Sequence, residues 1–462
     1  MTTALDVLYD PPKPVTPQGR LAWLNSPVFG QAADGFAILT AAALPWSTTA
    51  PAILIALFLL MMVPALDWGA YVRHLAHPAC ALPFLFVALA IVGVLWSDAP
   101  WSARLHGISP TLKLLLIPAL LYHFQRSSRG MSVLIAFLAS CTLLMVLSWI
   151  VLFIPSLKIT ATVSDGVPVK NYINQSQEFT LCAFALALPA LLFWQRRQVA
   201  ASAGCVALIA AFIANMMFVA SARTALLCML VLLALFASLH LRLRAMLKLF
   251  AILACAGALI WTTSPYLHKR ITDIAVEYNA SDLSAPASTA QRLNYWRKSV
   301  RFIVAAPLLG HGTGSIRQLF EQDATGESGL RAEVVNNPHN QALNVVLQWG
   351  IVGGIILYAM WSGHLMLFAA GRQEAWIGVI VVVQNVVSSL FNSHLFDFHE
   401  GWMYVLGVGI AGGLALRTNA RANRSVRADQ ATSAVSSTSP PTDARRAKSS
   451  RNLSKGRGGA TR

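Results

Sequence analysis

Charge is what this 462-residue chain lacks most: Asp, Glu, Lys and Arg make up 12% of it, about half the share of an average soluble domain. With 56% hydrophobic residues and a mean hydropathy of +0.58, the deficit excludes a soluble globular protein and implies an integral membrane protein. Acidic residues are scarcest, 19 against 35 Lys and Arg. Outside one late loop no closely spaced carboxylates suggest a divalent-metal sugar-nucleotide site, so chemistry without metal or cofactor is expected. The six cysteines (Cys80, Cys141, Cys182, Cys205, Cys228, Cys255) all fall in apolar stretches, and no pair has zinc-ligand spacing. They read as small packing residues and not as a disulfide framework. Residues 1–29 lack a compact apolar core with a small-residue cleavage site, and are read as a cytoplasmic lead-in. No internal repeat is visible.

Apolar runs are what is present. A span needs about 20 residues, and runs of that order lie near 33–47, 49–67, 79–96, 108–124, 131–155, 176–194, 199–220, 223–239, 247–264, 340–369, 375–391 and 401–416. The expected fold is therefore all-α, a polytopic membrane protein of about twelve transmembrane helices. It divides into a lead-in (1–30), nine spans (31–264), a polar loop with an amphipathic helix (265–338), three spans (339–416) and a basic tail (417–462). Positive charge tests the topology. With the N-terminus inside, cytoplasmic connections carry Arg73, then Arg126 and Arg129, Arg196 and Arg197, Arg242, Arg244 and Lys248, and Arg372. The short opposite connections hold only Arg104 and Arg223. Both termini are then cytoplasmic, and 156–175 and 265–338 face outward, to the periplasm of a Gram-negative cell. The net charge of +16 is concentrated in the tail, where eleven Lys and Arg stand against two Asp. Rich in Ser, Thr, Ala and Arg, the tail is expected to be disordered, to hold the C-terminus inside and to touch anionic membrane lipid; a nucleic-acid partner is not expected.

The residues that can carry chemistry gather in the outward segments. Arg223 sits in a tight turn between two apolar runs, where an isolated arginine calls for a partner or an anion. In 291–304, Leu293, Trp296, Val300, Ile303 and Val304 fall on one helical face, with Arg297, Lys298 and Arg301 opposite as a solvated charged face. Arg292 projects at the edge of the apolar face beside Trp296, at the height of a lipid-linked phosphate. The glycine-rich Pro307–Ser315 follows a helix and not a strand, so it reads as a flexible turn, and His311 within it carries no role. Asn337 suits an N-cap and Pro338 a first helical position, placing His339 in the first turn of the next helix. There the helix dipole disfavours imidazolium, and a neutral imidazole is a competent general base for a hydroxyl. Gly350, Gly353 and Gly354 further along suit close helix packing. His394, Asp397, His399 and Glu400 share the last outward loop; their spacing matches no helical metal motif, and Asp397 and His399 are read as site-lining.

Together these blocks resemble the superfamily of O-antigen ligases and polymerases, integral membrane glycosyltransferases. The residues that carry the resemblance are Ser221-Ala222-Arg223-Thr224-Ala225-Leu226-Leu227, Arg292 with Trp296, Pro307-Leu308-Leu309-Gly310-His311-Gly312, and Pro338-His339-Asn340-Gln341-Ala342-Leu343-Asn344 with Gly350 and Gly353. It is strongest over residues 200–370, and Lys170–Gln177 looks like the lipopolysaccharide ligase branch. The resemblance implies a GT-C-like fold in a bacterial inner membrane. It also implies transfer of a whole polysaccharide from undecaprenyl pyrophosphate to lipid A–core at the periplasmic face, with inversion and without metal or nucleotide. Arg223 and Arg292 would bind the pyrophosphate, His339 would deprotonate or orient the acceptor hydroxyl, and Asn340 and Trp296 would line the site. A polymerase or a protein O-oligosaccharyltransferase of the same superfamily shares that donor chemistry. A secondary transporter is the alternative of another class. Transporters place ionisable groups at the bilayer midplane, whereas these helix interiors read as free of them.

Overall fold

The computed structural model describes residues 27–266, 288–369 and 373–437, with Lys269 and Thr272 between them. Sixteen α-helices and no strand occur among the described residues. The first six are α1 (Pro27–Ala43), α2 (Thr49–Met62), α3 (Trp68–Leu75), α4 (Pro78–Val92), α5 (Trp101–Leu112) and α6 (Leu116–Arg126). Next come α7 (Gly130–Phe153), α8 (Tyr172–Gln195), α9 (Val199–Phe218), α10 (Arg223–His240) and α11 (Leu243–Thr263). The last five are α12 (Ser288–Ala305), α13 (Ile316–Ala324), α14 (Gln341–Leu367), α15 (Gln373–Ser388) and α16 (Phe398–Ser437).

Seven helices are long and apolar enough to cross a membrane, or eight if the segment Thr49–Ala65 and α3, bent by 118°, form one broken span. The remaining apolar runs fall on shorter helices (α1, α4, α15) and on the first part of α16. Helix α4 illustrates why: His77 caps it, Pro78 opens it, and Gly93 ends it after 15 residues. The bundle is built as a membrane demands. Backbone groups are satisfied within helices, and large apolar side chains such as Ile53, Leu60, Ile135, Leu143, Leu230 and Ile252 point outward, each more than half exposed. Within the bundle, α8 packs on α9, α1 on α2 and α7, α14 on α4, and α10 on α15 and α8.

Helix α14 is interrupted where the glycine-rich turn meets it. Trp349 (φ −127°, ψ 18°) and Gly350 (φ 59°, ψ −161°) leave helical geometry. His311 N–H donates to Leu347 O (3.0 Å), Gly312 N–H to Gln348 O (2.8 Å), and Ile351 N–H to Pro307 O (2.9 Å). The turn thus takes the carbonyls that the helix gives up, a specific cause for the kink. A Cβ on Gly350 would lie 2.1 Å from Leu308 O. The stretch expected to be a flexible turn is therefore an interlock, and Gly350 serves a backbone crossing more than helix packing.

Three further expectations change. The helix beginning at Phe398 continues through Arg417 to Ser437, because Ala and Arg favour helix whatever the charge; residues 438–462 lie outside the described residues. The lead-in expected over 1–30 gives way to helix at Pro27, with residues 1–26 outside the described set. Helix interiors are not free of ionisable groups. Asp34 accepts from His123 Nε2 (2.8 Å) and Ser127 Oγ (2.6 Å), His364 donates to Ala79 O (3.0 Å), and Lys113 and Glu178 lie in α5–α6 and α8. Each of the first three has a hydrogen-bonding partner that offsets its burial, which residue counting along an apolar run does not reveal.

Candidate active site

His339 sits just before α14 and not within it. Asn340 is the N-cap, its Oδ1 accepting from Leu343 N (3.0 Å), while its Nδ2 donates to Leu390 O (2.9 Å). Asn337 instead forms a local turn, its Oδ1 accepting from His339 N (2.9 Å). His339 is left with φ 54°, one of three non-glycine residues at positive φ among those described. Such a conformation persists only where its surroundings impose it. They do so here: the 389–397 loop is tied to the start of α14 by Gln341 N–Ser389 O (2.9 Å), Leu395 N–Gln341 Oε1 (3.2 Å) and Ser393 Oγ–Asn337 Oδ1 (2.7 Å).

The same loop supplies Asn392, whose Oδ1 lies 2.8 Å from His339 Nδ1. An amide oxygen only accepts, so Nδ1 carries the proton and Nε2 keeps its lone pair. Tyr295 stacks on the imidazole (6.1 Å between centroids, 30°) and is held by its hydroxyl to Glu333 Oε2 (2.7 Å). Burial lowers the His339 pKa below its ordinary 6.5; the Asn392 bond opposes this, and the nearby Arg292 guanidinium adds to it. Arg292 also reaches His394, a buried imidazole lowered chiefly by burial. Trp296 donates from Nε1 to Pro338 O (3.1 Å) and tilts over Phe391. His339, Arg292, Trp296, Asn340 and His394 thus form one cluster.

Arg223 opens α10 and is half-buried, and α15 packs on both α10 and α14. Its turn is fixed by Ala222 N donating to Ser176 Oγ (3.0 Å) and Ser221 N to Tyr266 Oη (2.7 Å). Asp397 and His399 part company. The Asp397 carbonyl accepts from Lys113 Nζ (2.5 Å), while burial, reinforced by Glu400 and opposed by Lys113, pushes its carboxyl up to about 7. His399 turns inward, accepting at Nδ1 from Lys170 Nζ (3.0 Å), and Glu400 accepts from Asn174 Nδ2 (2.7 Å). No group of three or more His, Cys, Asp or Glu is arranged to hold a metal among the described residues. The six cysteines are free thiols.

The amphipathic helix α12 forms, but its packing inverts one expectation. Leu293, Val300 and Val304 are exposed, while Tyr295, Lys298 and Ser299 are buried. Lys298, expected in solvent, bonds Asp323 Oδ2 (2.8 Å) and the Arg331 carbonyl beneath α13. Lys298 alone of the three packs inward, because α13 brings a carboxylate to it, while Arg297 stays exposed as expected. Arg301 remains 64% exposed while bonding the same Asp323 (2.9 Å).

Residues 206–358, about a third of the chain, match the family described as O-antigen ligase. That match supports membership of the O-antigen ligase superfamily. The matched stretch contains Arg223, Arg292, His339 and the Gly350 kink, whereas Asn392, His394 and Asp397 lie beyond it. No curated protein matches the chain. The match and the apolar helices together support a membrane protein with an O-antigen ligase domain.

Proposed function

We propose that this protein is an O-antigen ligase that moves a polysaccharide en bloc from undecaprenyl pyrophosphate to a sugar hydroxyl of lipid A–core at the periplasmic face of the inner membrane. The observation that carries the reading is His339, neutral, orientated by Asn392 and beside Arg292, within a family-matched stretch that also holds Arg223. The acceptor oxygen forms a bond to the anomeric carbon as the bond from that carbon to the pyrophosphate oxygen breaks. The electron pair leaves on the pyrophosphate, and the hydroxyl proton passes to His339 Nε2. Attack opposite the leaving group inverts the anomeric centre.

Pyrophosphate is a good leaving group, so the chief requirement is cationic stabilisation of the departing charge. Arginine suits it, because the guanidinium fork matches phosphate oxygens in a way an ammonium does not. Arg292 approaches from α12 and Arg223 from α10. The excess of Lys and Arg in the opposite connections supports a periplasmic position for this end of the bundle, where both lipid-linked substrates present their sugars. The test is complementation of a deletion strain with Arg223→Ala, Arg292→Ala and His339→Ala variants, each verified as inserted and expressed. Loss of long-chain lipopolysaccharide in all three supports the assignment; full transfer by all three refutes it.

A further inference from the structure

At Asn337, two residues before His339, a cleft of about 520 Å³ opens between α5, the Gly314 turn and the start of α14, and no residue of α10 lines it. None of the roles above uses it. Ser102 and His106 of α5, Asn344 and Gln348 of α14, and Asn337 and Asp397 all line it. Its size is that of a small-molecule site.

The amides are not loose. Gly314 N donates to Gln348 Oε1 (2.8 Å), Gln348 Nε2 to Asn344 Oδ1 (2.8 Å), Asn344 Nδ2 to Ser393 Oγ (3.2 Å), and Ser393 Oγ to Asn337 Oδ1 (2.7 Å). The same Asn337 Oδ1 accepts from His339 N (2.9 Å). One chain of hydrogen bonds therefore runs along the cleft wall and ends on the backbone of the proposed base. A ligand seated there is positioned relative to His339 by a rigid, pre-set frame.

The lining also selects a chemistry. Amides, an imidazole, a serine hydroxyl and one carboxylate offer donors and acceptors in alternation, which suits sugar hydroxyls. The half-buried ring of Phe396 adds an apolar patch. A pyrophosphate would meet the Asp397 carboxyl, and the one cation at the rim, Arg317, is held by Glu321 (2.7 Å). Arg223, by contrast, belongs to the α8–α10–α15 side of the bundle. In an inverting displacement the nucleophile and the leaving group lie on opposite sides of the reacting carbon.

We propose that this cleft is the acceptor subsite, holding the sugar ring that bears the attacking hydroxyl. The inference rests on the transfer reaction proposed above. Its test uses the full-length protein in lipid nanodiscs, with deacylated lipid A–core oligosaccharide as the probe and saturation-transfer NMR as the binding readout. Transfer kinetics are measured in parallel. Ser102→Trp fills the cleft from an exposed position, so the core is undisturbed; Leu105→Trp, on the same helix outside the cleft, is the control. Ser102→Trp should weaken probe binding and raise the acceptor KM at least tenfold, with donor KM unchanged and Leu105→Trp like the wild type. Asn344→Leu should act in the same direction. An unchanged acceptor KM in Ser102→Trp, or a rise in donor KM instead, overturns the subsite. Probe binding that Ser102→Trp abolishes, in a wild-type protein without transfer, overturns the reaction and leaves the subsite standing. A wild type that neither binds nor transfers overturns both.

Discussion

Replacing Asn392 with alanine removes the side chain that accepts the hydrogen bond from the proton on His339 Nδ1. The bond is 2.8 Å between Nδ1 and Oδ1, and a neutral hydrogen bond of this kind contributes about 0.5–1.5 kcal/mol. Its loss lets the imidazole rotate and exchange tautomers, so kcat should fall about tenfold. His339→Ala should cost more, on the order of 10²–10⁴, the span of general-base contributions. The pH profile separates an orientating role from a packing one. His339 is active when neutral, and burial with Arg292 holds its pKa below 6.5, so the acid limb of kcat/KM lies below that pH in the wild type. Asn392→Asp sets a carboxylate against Nδ1, favours imidazolium and moves the limb to higher pH by about one pH unit or more. The assay is transfer of a labelled lipid-linked glycan to lipid A–core in proteoliposomes across pH 5–8. Unchanged rate in Asn392→Ala together with an unmoved limb in Asn392→Asp would refute the assignment of His339 as base.

Arg223→Lys and Arg292→Lys keep the charge but lose the fork, and each should lower kcat/KM for the donor at least about tenfold; wild-type kinetics in both would remove the pyrophosphate role. Gly350→Ala forces a side chain onto φ 59° and to within 2.1 Å of a carbonyl oxygen. The backbone term alone is about 1–3 kcal/mol, and a lowered Tm in detergent is the expected readout. Lys298→Met leaves Asp323 with only the exposed Arg301. Asp323 is partly exposed, so the lost charge-assisted bond costs about 1.5–3 kcal/mol, and limited proteolysis of the segment around α12 and α13 should accelerate, whereas Arg301→Ala should change it little because exposed pairs contribute less than about 1 kcal/mol.

The helices were readable because apolar composition dictates them, and Arg223, Arg292 and His339 because each is a polar residue in a place that disfavours one. What pairs with them was not readable. Asn392 lies 53 residues from His339 in sequence, and nothing local marks an asparagine in a loop as the partner of a distant histidine. The N-cap moved from Asn337 to Asn340 because two asparagines three residues apart both suit a helix start; the tie of Gln341 to Ser389 selects the second. The Pro307–Ser315 turn reads as flexible from its glycines alone, and only the kink in α14 shows that they permit backbone crossing. Lys298 illustrates the limit of helical-face reasoning: a face is charged by sequence, but whether it meets water depends on the helix that covers it.

The most direct test of the account is the lipopolysaccharide profile of a strain lacking this protein, with and without the intact copy restored. Core-only bands, with long O-chains accumulating on the carrier lipid and ligated again on complementation, are the predicted result. Core bearing a single repeat would make the protein a polymerase, and an unchanged profile would contradict the ligase account outright.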